Sequence, residues 1–298
     1  MIDGYQKIIA SLGQDKVKID EPMKNHTTFK VGGPADLFCE AETEEEIAKA
    51  VRLCQKLEVP YFILGGGSNI LVSDKGIRGI VIKIINNKME IKDDKVNVGA
   101  GQSLPTLVLK TIDKNLEGLE FAAGIPGTVG GAVVGNAGAW QKDVGDKVAR
   151  VRVLNPEGEI KWLSREECGF SYRDSRFKTS GEIILEAEFT LATRENGEVK
   201  EEIKSNIEKR SGQPQEPSAG CVFVNPKPDS AGRLIDECGL KGTKIGDAEI
   251  SPDHANFIIN IGSAKASDVL ALMDLMEQKV FEKFGIKLKR EIKVVGEF

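Results

Sequence analysis

The residues best suited to chemistry in this 298-residue chain lie in two glycine-rich stretches. Leu64-Gly65-Gly66-Gly67-Ser68-Asn69 directly follows a predicted strand. Three consecutive glycines bare their backbone N–H groups, as an anion-cradling loop requires, and a pyrophosphate is the natural guest. A tight turn that needs positive φ is the alternative reading of the same residues. Gly124-Ile-Pro-Gly-Thr-Val-Gly-Gly131 places four glycines and one proline in eight residues and runs into the small-residue stretch Ala132–Ala139. Neither stretch has the Gly-Lys-Ser/Thr of a P-loop or the Gly-x-Gly-x-x-Gly spacing of a Rossmann turn. Two separate loops suggest a ligand gripped from two sides.

Regular elements must hold these loops. Thr43-x-x-Glu46 is a capping box that opens a helix, and Ile47, Ala50, Val51, Cys54 and Leu57 give that helix one apolar face, with Cys54 in the core. Tyr61–Leu64 reads as a strand, followed after the glycine loop by strands near 80–84, 90–92 and 95–98. A helix over 104–114 comes next. Val151–Leu154 and Glu159–Leu163 pair as a hairpin across Asn155-Pro-Glu-Gly158, and 183–191 alternates as a long strand. A charged helix over 199–210 leads into a strand at 221–224, a helix at 231–237 and a strand at 256–261. A long helix capped by Ser267 and closed by Gly285, then a last strand at 292–295, complete an α+β pattern.

Composition narrows the function. The 41 basic and 46 acidic residues are mixed in sign and sum to −5, which lacks the basic surplus that a nucleic-acid partner calls for. The N-terminal residues lack a basic segment followed by an apolar one, and no run approaches the roughly 18 apolar residues of a membrane span, so a cytoplasmic protein is expected. Cys39, Cys54, Cys168, Cys221 and Cys238 form no CxxC pair, which reads as reduced thiols. With His26 and His254 as the imidazoles, a metal site is not expected, and both histidines read as structural hydrogen-bonders.

Several motifs occur in a fixed order: Asn25-His-Thr-Thr-Phe-Lys-Val-Gly-Gly-Pro-Ala-Asp36, the loops at 65–69 and 124–131, Asn136-Ala-Gly-Ala139, Ser171-Tyr-Arg-Asp-Ser175, Ser218-Ala-Gly-Cys-Val-Phe-Val-Asn-Pro226 and His254-Ala-Asn-Phe-Ile258. Together with Arg290–Gly296 they resemble the UDP-N-acetylenolpyruvoylglucosamine reductase family over nearly the whole chain. The resemblance implies a vanillyl-alcohol-oxidase-type (PCMH-type) FAD-binding fold of two subdomains, expected at 1–85 and 86–195, plus a C-terminal α+β substrate-binding domain at 196–298. It implies non-covalent FAD, its pyrophosphate held by Gly65, Gly66, Gly67, Ser68 and Asn69 and by Pro126, Gly127, Thr128, Gly130 and Gly131. NADPH is the implied co-substrate, and the implied reaction reduces UDP-N-acetylglucosamine enolpyruvate to UDP-N-acetylmuramate in peptidoglycan precursor synthesis. A monomer is expected.

The resemblance also carries roles. Hydride addition beside a carboxylate builds enolate-like charge, which a cation or proton donor must meet. Arg173 matches the family residue in that role; alone it would read as an ion pair with Asp174 or Glu166. Glu291 matches the family's catalytic glutamate; alone, flanked by Lys289, Arg290 and Lys293, it would read as an exposed salt-bridging carboxylate. Cys221 stands where serine or cysteine donates the proton to the second carbon; alone it would read as a small buried thiol. Asn225 matches a contact to substrate phosphate, and Tyr172 is a substrate-side candidate that could equally pack in the core. Val224 stands where the family often has lysine. A tyrosine-bearing insertion of one family branch has no counterpart between Thr190 and Arg210, so the chain fits the shorter (type II) branch. The competing readings are a flavin-dependent alcohol or hydroxy-acid oxidase on the same fold, and a non-catalytic binding module.

Overall fold

The computed structural model describes residues 2–194 and 196–298, which form two compact units. The first is built from residues up to Val17, Cys39–Gly66 and Val81–Ser211; the second from Lys18–Phe38, Gly67–Ile80 and Gly212–Phe298. This division differs from three contiguous stretches, because 18–38 and 67–80 belong with the C-terminal third. The boundary expected at 195 falls on a residue outside the described ones.

Among the described residues the first unit carries the α-helices α1 (Ile2–Leu12), α2 (Glu44–Lys56), α3 (Leu104–Ile112), α4 (Val129–Gly135) and α5 (Asn196–Glu208). The capping box of α2 is present as expected: Thr43 accepts from the Glu46 N–H at 3.2 Å, and Glu46 accepts from the Thr43 N–H at 3.4 Å. Ile47, Ala50, Val51 and Cys54 are buried beneath it. In α3, Ser103 caps the Thr106 N–H, and the proline at the second helical position gives up a donor that no carbonyl would have bonded. The sheet of this unit is antiparallel, with strands ordered 160–164, 148–154, 183–190, 95–99 and 89–92. Its fully buried Val151, Val153, Leu185, Ala187, Phe189, Val96 and Val98 supply much of the core. α4 packs on this sheet. The run Val-Gly-Gly-Ala-Val-Val-Gly holds poor helix formers, so its helicity comes from the Thr128 cap and from burial of Val129, Ala132 and Val133 rather than from propensity.

The second unit holds α6 (Ala231–Glu237), α7 (Ala266–Phe284) and an antiparallel sheet ordered 218–221, 257–260, 248–250 and 244–245. Val269, Leu272, Met273, Met276 and Val280 of α7 are fully buried, at roughly 1.5–3 kcal/mol apiece relative to exposure. The same core takes in Phe29, Val31 and Leu71, which ties the two early segments to the C-terminal one. Ile70–Val72 pairs in parallel with Lys293–Val295.

Two expectations are corrected here. Ser267 does not cap α7; its N–H and that of Ala266 are instead taken by the Asp74 carboxylate, at 3.0 and 2.7 Å. The expected strand 221–224 is broken into Ser218–Cys221, which pairs with Phe257–Asn260, and Phe223–Val224, which pairs with Lys289–Arg290. The two pieces pair with different strands, which divides the run at Val222; within the first piece a bulge lies between Ser218 and Cys221, where Gly220 takes φ +75°, a conformation open to glycine and strained for most other residues.

Candidate active site

In the first unit the two glycine loops meet backbone to backbone. A methyl group built on Gly66 would sit 2.7 Å from the Gly127 Cα, and one on Gly65 would sit 2.5 Å from the Thr128 Oγ1. Gly65 and Gly66 are therefore required by close approach, in addition to any ligand they hold. The second loop is tied down through Leu104 N–H to Gly127 O at 3.0 Å, Val129 N–H to Gln102 O at 2.8 Å and Gly130 N–H to Ala100 O at 2.8 Å. Those bonds consume the N–H groups of Val129 and Gly130. The donors left to face an anion are those of Gly127, Thr128 and Gly131, the last of which also makes a long 3.4 Å cap bond to Thr128.

Arg173 lies at the other end of α4. It occupies a four-residue turn in which Ser171 and Asp174 exchange both backbone bonds at 3.0 Å. The turn hangs on α4 through the Ser175 hydroxyl, which donates to Val134 O at 2.7 Å, and the Asn136 amide, which donates to Ser171 O at 2.8 Å. Seven helical residues separate the glycine loop from this anchor, which at 1.5 Å per residue is about 10 Å. The Arg173 guanidinium donates to Gly138 O at 2.6 Å and lies 5.3 Å from the Tyr172 ring, while its backbone holds φ +55°. Asp174 pairs with Lys178 at 3.6 Å. Tyr172 is 44% exposed, so its ring is outside the core.

In the second unit the chain brings Cys221 and Glu291 together across seventy positions of sequence. The Glu291 N–H donates to Val222 O at 2.8 Å, so the carboxylate residue is bonded to the neighbour of the thiol residue. Asn69 joins them: its side chain donates to Glu291 O at 3.2 Å, and its carbonyl accepts from Lys293 N–H at 3.1 Å. Asn256, only 2% exposed, locks the segment after Cys221, because its own carbonyl accepts from Val222 N–H at 2.8 Å and its amide both accepts from and donates to Phe223. Both Cys221 and Glu291 are half-buried, and Cys221 is not in a disulfide. Arg290 turns to Glu277 on α7 at 2.5 Å, away from the partnership that the sequence around Glu291 suggests.

Asn225 is exposed, and its side-chain carbonyl accepts from Ala231 N–H at 3.0 Å, which fixes the amide at the start of α6. Val224 pairs across strands with Lys289. His26 bonds Glu21 at 2.8 Å and stacks on Phe38 at 4.1 Å; His254 accepts from the Asn256 N–H at 3.2 Å. Both are structural hydrogen-bonders, as their settings in the motifs suggested. Sequence reading assigned no role to Asn136, whose part in the Arg173 anchor depends on a contact 35 residues away.

The cradle of touching glycines, a short helix start and a polar rim fits a dinucleotide pyrophosphate better than a side-chain-lined pocket would, since a Cβ at Gly66 would close it. Residues 35–164 match the family model described as FAD binding domain, and residues 213–295 match that described as UDP-N-acetylenolpyruvoylglucosamine reductase, C-terminal domain. The fold is thus the FAD-binding α+β fold of vanillyl-alcohol-oxidase type, followed by a C-terminal α+β domain. Proteins named UDP-N-acetylenolpyruvoylglucosamine reductase from Alkaliphilus metalliredigens and Desulforamulus reducens are 45% and 43% identical, over 98% and 97% of both chains. The crystal structure of the enzyme of that name from Thermus caldophilus superposes with a TM-score of 0.82 at 39% identity, covering 94% of this chain and 98% of that one. The chain belongs to the UDP-N-acetylenolpyruvoylglucosamine reductase family.

Proposed function

We propose that this chain is an NADPH-dependent reductase that converts UDP-N-acetylglucosamine enolpyruvate to UDP-N-acetylmuramate for peptidoglycan precursor synthesis. FAD, when bound, carries hydride from NADPH to the enolpyruvyl double bond. Gly65 to Asn69 and the loop Pro126 to Gly131 would hold its pyrophosphate, the second loop through the N–H groups of Gly127, Thr128 and Gly131, since those of Val129 and Gly130 are taken. Arg173 faces the carboxylate on which charge develops and stabilises it; its guanidinium is already fixed by the Gly138 carbonyl, so little reorganisation is needed as charge builds. Cys221 delivers a proton to the second carbon, and Glu291 stands beside it to support the enolate. Asn225, its amide oriented by Ala231, presents donors to substrate phosphate, and Tyr172 offers an exposed ring on the substrate side. The protein works as a cytoplasmic monomer with NADPH as co-substrate.

The observation that carries this reading is the Glu291–Val222 backbone bond, which brings Glu291 up against the residue that follows Cys221 at the end of a bulged strand. Neither an oxidase nor a passive binding module needs a proton donor there. The test is a two-step absorbance experiment without oxygen. NADPH should bleach the flavin of the purified protein, and UDP-N-acetylglucosamine enolpyruvate should then restore it. A bleached flavin that recovers on admission of oxygen alone would point to an oxidase, and purification without flavin would overturn the cofactor assignment. NADH in place of NADPH tests the choice of co-substrate.

A further inference from the structure

Four non-glycine residues with positive φ lie in the two segments, 136–141 and 171–175, that carry the Arg173 anchor: Asn136 at +43°, Trp140 at +50°, Gln141 at +64° and Arg173 itself at +55°. Each such backbone costs on the order of 1–3 kcal/mol and persists when its surroundings enforce it. The enforcing contacts form a closed circuit. Asn136 donates to Ser171 O at 2.8 Å and accepts from Gly145 N–H at 2.9 Å, and its side chain also bonds the Asp143 carboxyl. Asp143 pairs with Gly138 across the small hairpin of 138–139 and 142–143. A methyl group at Gly138 would sit 2.7 Å from the Asp143 Cβ, so the aspartate is packed directly on the residue whose carbonyl takes the guanidinium.

We infer that Asp143 is a positioning residue for Arg173, holding the Gly138 carbonyl against the guanidinium and facing it with a carboxylate. The inference rests on the reading of Arg173 as the group that meets the developing charge. Burial, and after it the neighbouring Asp146, raise the Asp143 carboxyl from its ordinary value, while Asn136, the Asp146 N–H and Arg173 draw it down. Asp146 itself lies 3.7 Å from Arg165. An isolated surface aspartate would show neither the packing on Gly138 nor the bond to Asn136.

The test is Asp143→Asn, which keeps the shape of the side chain while removing the charge. The two half-reactions are followed separately by stopped-flow flavin absorbance. Substrate-driven recovery of the oxidised flavin should slow about 10-fold or more, the scale of a small misplacement in an active site, while NADPH-driven bleaching stays within about twofold. Asp143→Glu should restore part of the loss. In an Arg173→Lys background, Asp143→Asn should add little, since both changes act through one group. If Arg173→Lys slows recovery and Asp143→Asn does not, the inference fails and the role of Arg173 stands. If Arg173→Lys itself leaves recovery unchanged, the reading on which the inference rests fails. Equal slowing of both half-reactions by Asp143→Asn would mark a merely structural residue and would also overturn it.

Discussion

Cys221 follows a glycine at φ +75°, and the bulge there sets the direction of its thiol against the alternation of the strand. If that thiol is the proton source, Cys221→Ala should leave NADPH-driven bleaching unchanged and slow substrate-driven recovery by about 100-fold or more, as stopped-flow absorbance would read. Equal rates for mutant and parent in both steps would remove Cys221 from the mechanism. His254 makes a separate prediction. Burial lowers its pKa from the ordinary 6.5. A base depressed in the folded state binds its proton more readily when unfolded, so stability is full above about pH 6.5 and declines as pH falls through that value toward the folded one. Urea midpoints at about pH 7.5 and pH 5.5 should differ more for the parent than for His254→Asn. Residue types alone left the setting of Glu291 open, because Lys289, Arg290 and Lys293 all flank it. Alternation along the strand sends Arg290 to Glu277 instead, and that choice depends on where α7 lies.

At the scale of elements, α7 shows how a cap can come from far away in sequence. The Asp74 carboxylate takes two of the free N–H groups at the helix start, 192 and 193 positions removed. Asp74→Ala should therefore cost about 1–2 kcal/mol, the range for a lost side-chain cap, measurable as a lowered urea midpoint. Ser267→Ala, by contrast, should cost little, since the Ser267 side chain is not the cap. Local signals served well where the deciding contacts are local. The Thr43–Glu46 box, the hairpin of 148–154 with 160–164, α6, and the glycine end of α7 were all legible in the sequence. α4 was not, because its glycines and valines argue against a helix until the sheet beneath it is present. The break at Val222 was hidden for a similar reason: Gly-Cys-Val-Phe-Val reads as one strand, and two different partners, Phe257–Asn260 and Lys289–Arg290, divide it.

Across the whole molecule, family motifs in order carried the cofactor and the activity class far more clearly than any composition did. The order of motifs says nothing, however, of which segments pack as one body. Hydrophobic pattern identifies Phe29, Val31 and Leu71 as core residues without naming the core they enter, which is the one built around α7. That interleaving has a consequence for a severed chain. Gln215, Glu216 and Pro217 are exposed in the stretch that leads into the 218–221 strand. A single cut there leaves residues 18–38 and 67–80 on one fragment and the rest of the second unit on the other. Their shared core, the parallel pairing of 70–72 with 293–295 and the Asp74 cap should hold the fragments together without a peptide bond. Nicked protein should run as one particle on a sizing column and as two bands after denaturation, and Asp74→Ala should weaken that reunion. A gene split at this position would then give two halves that complement each other in one cell.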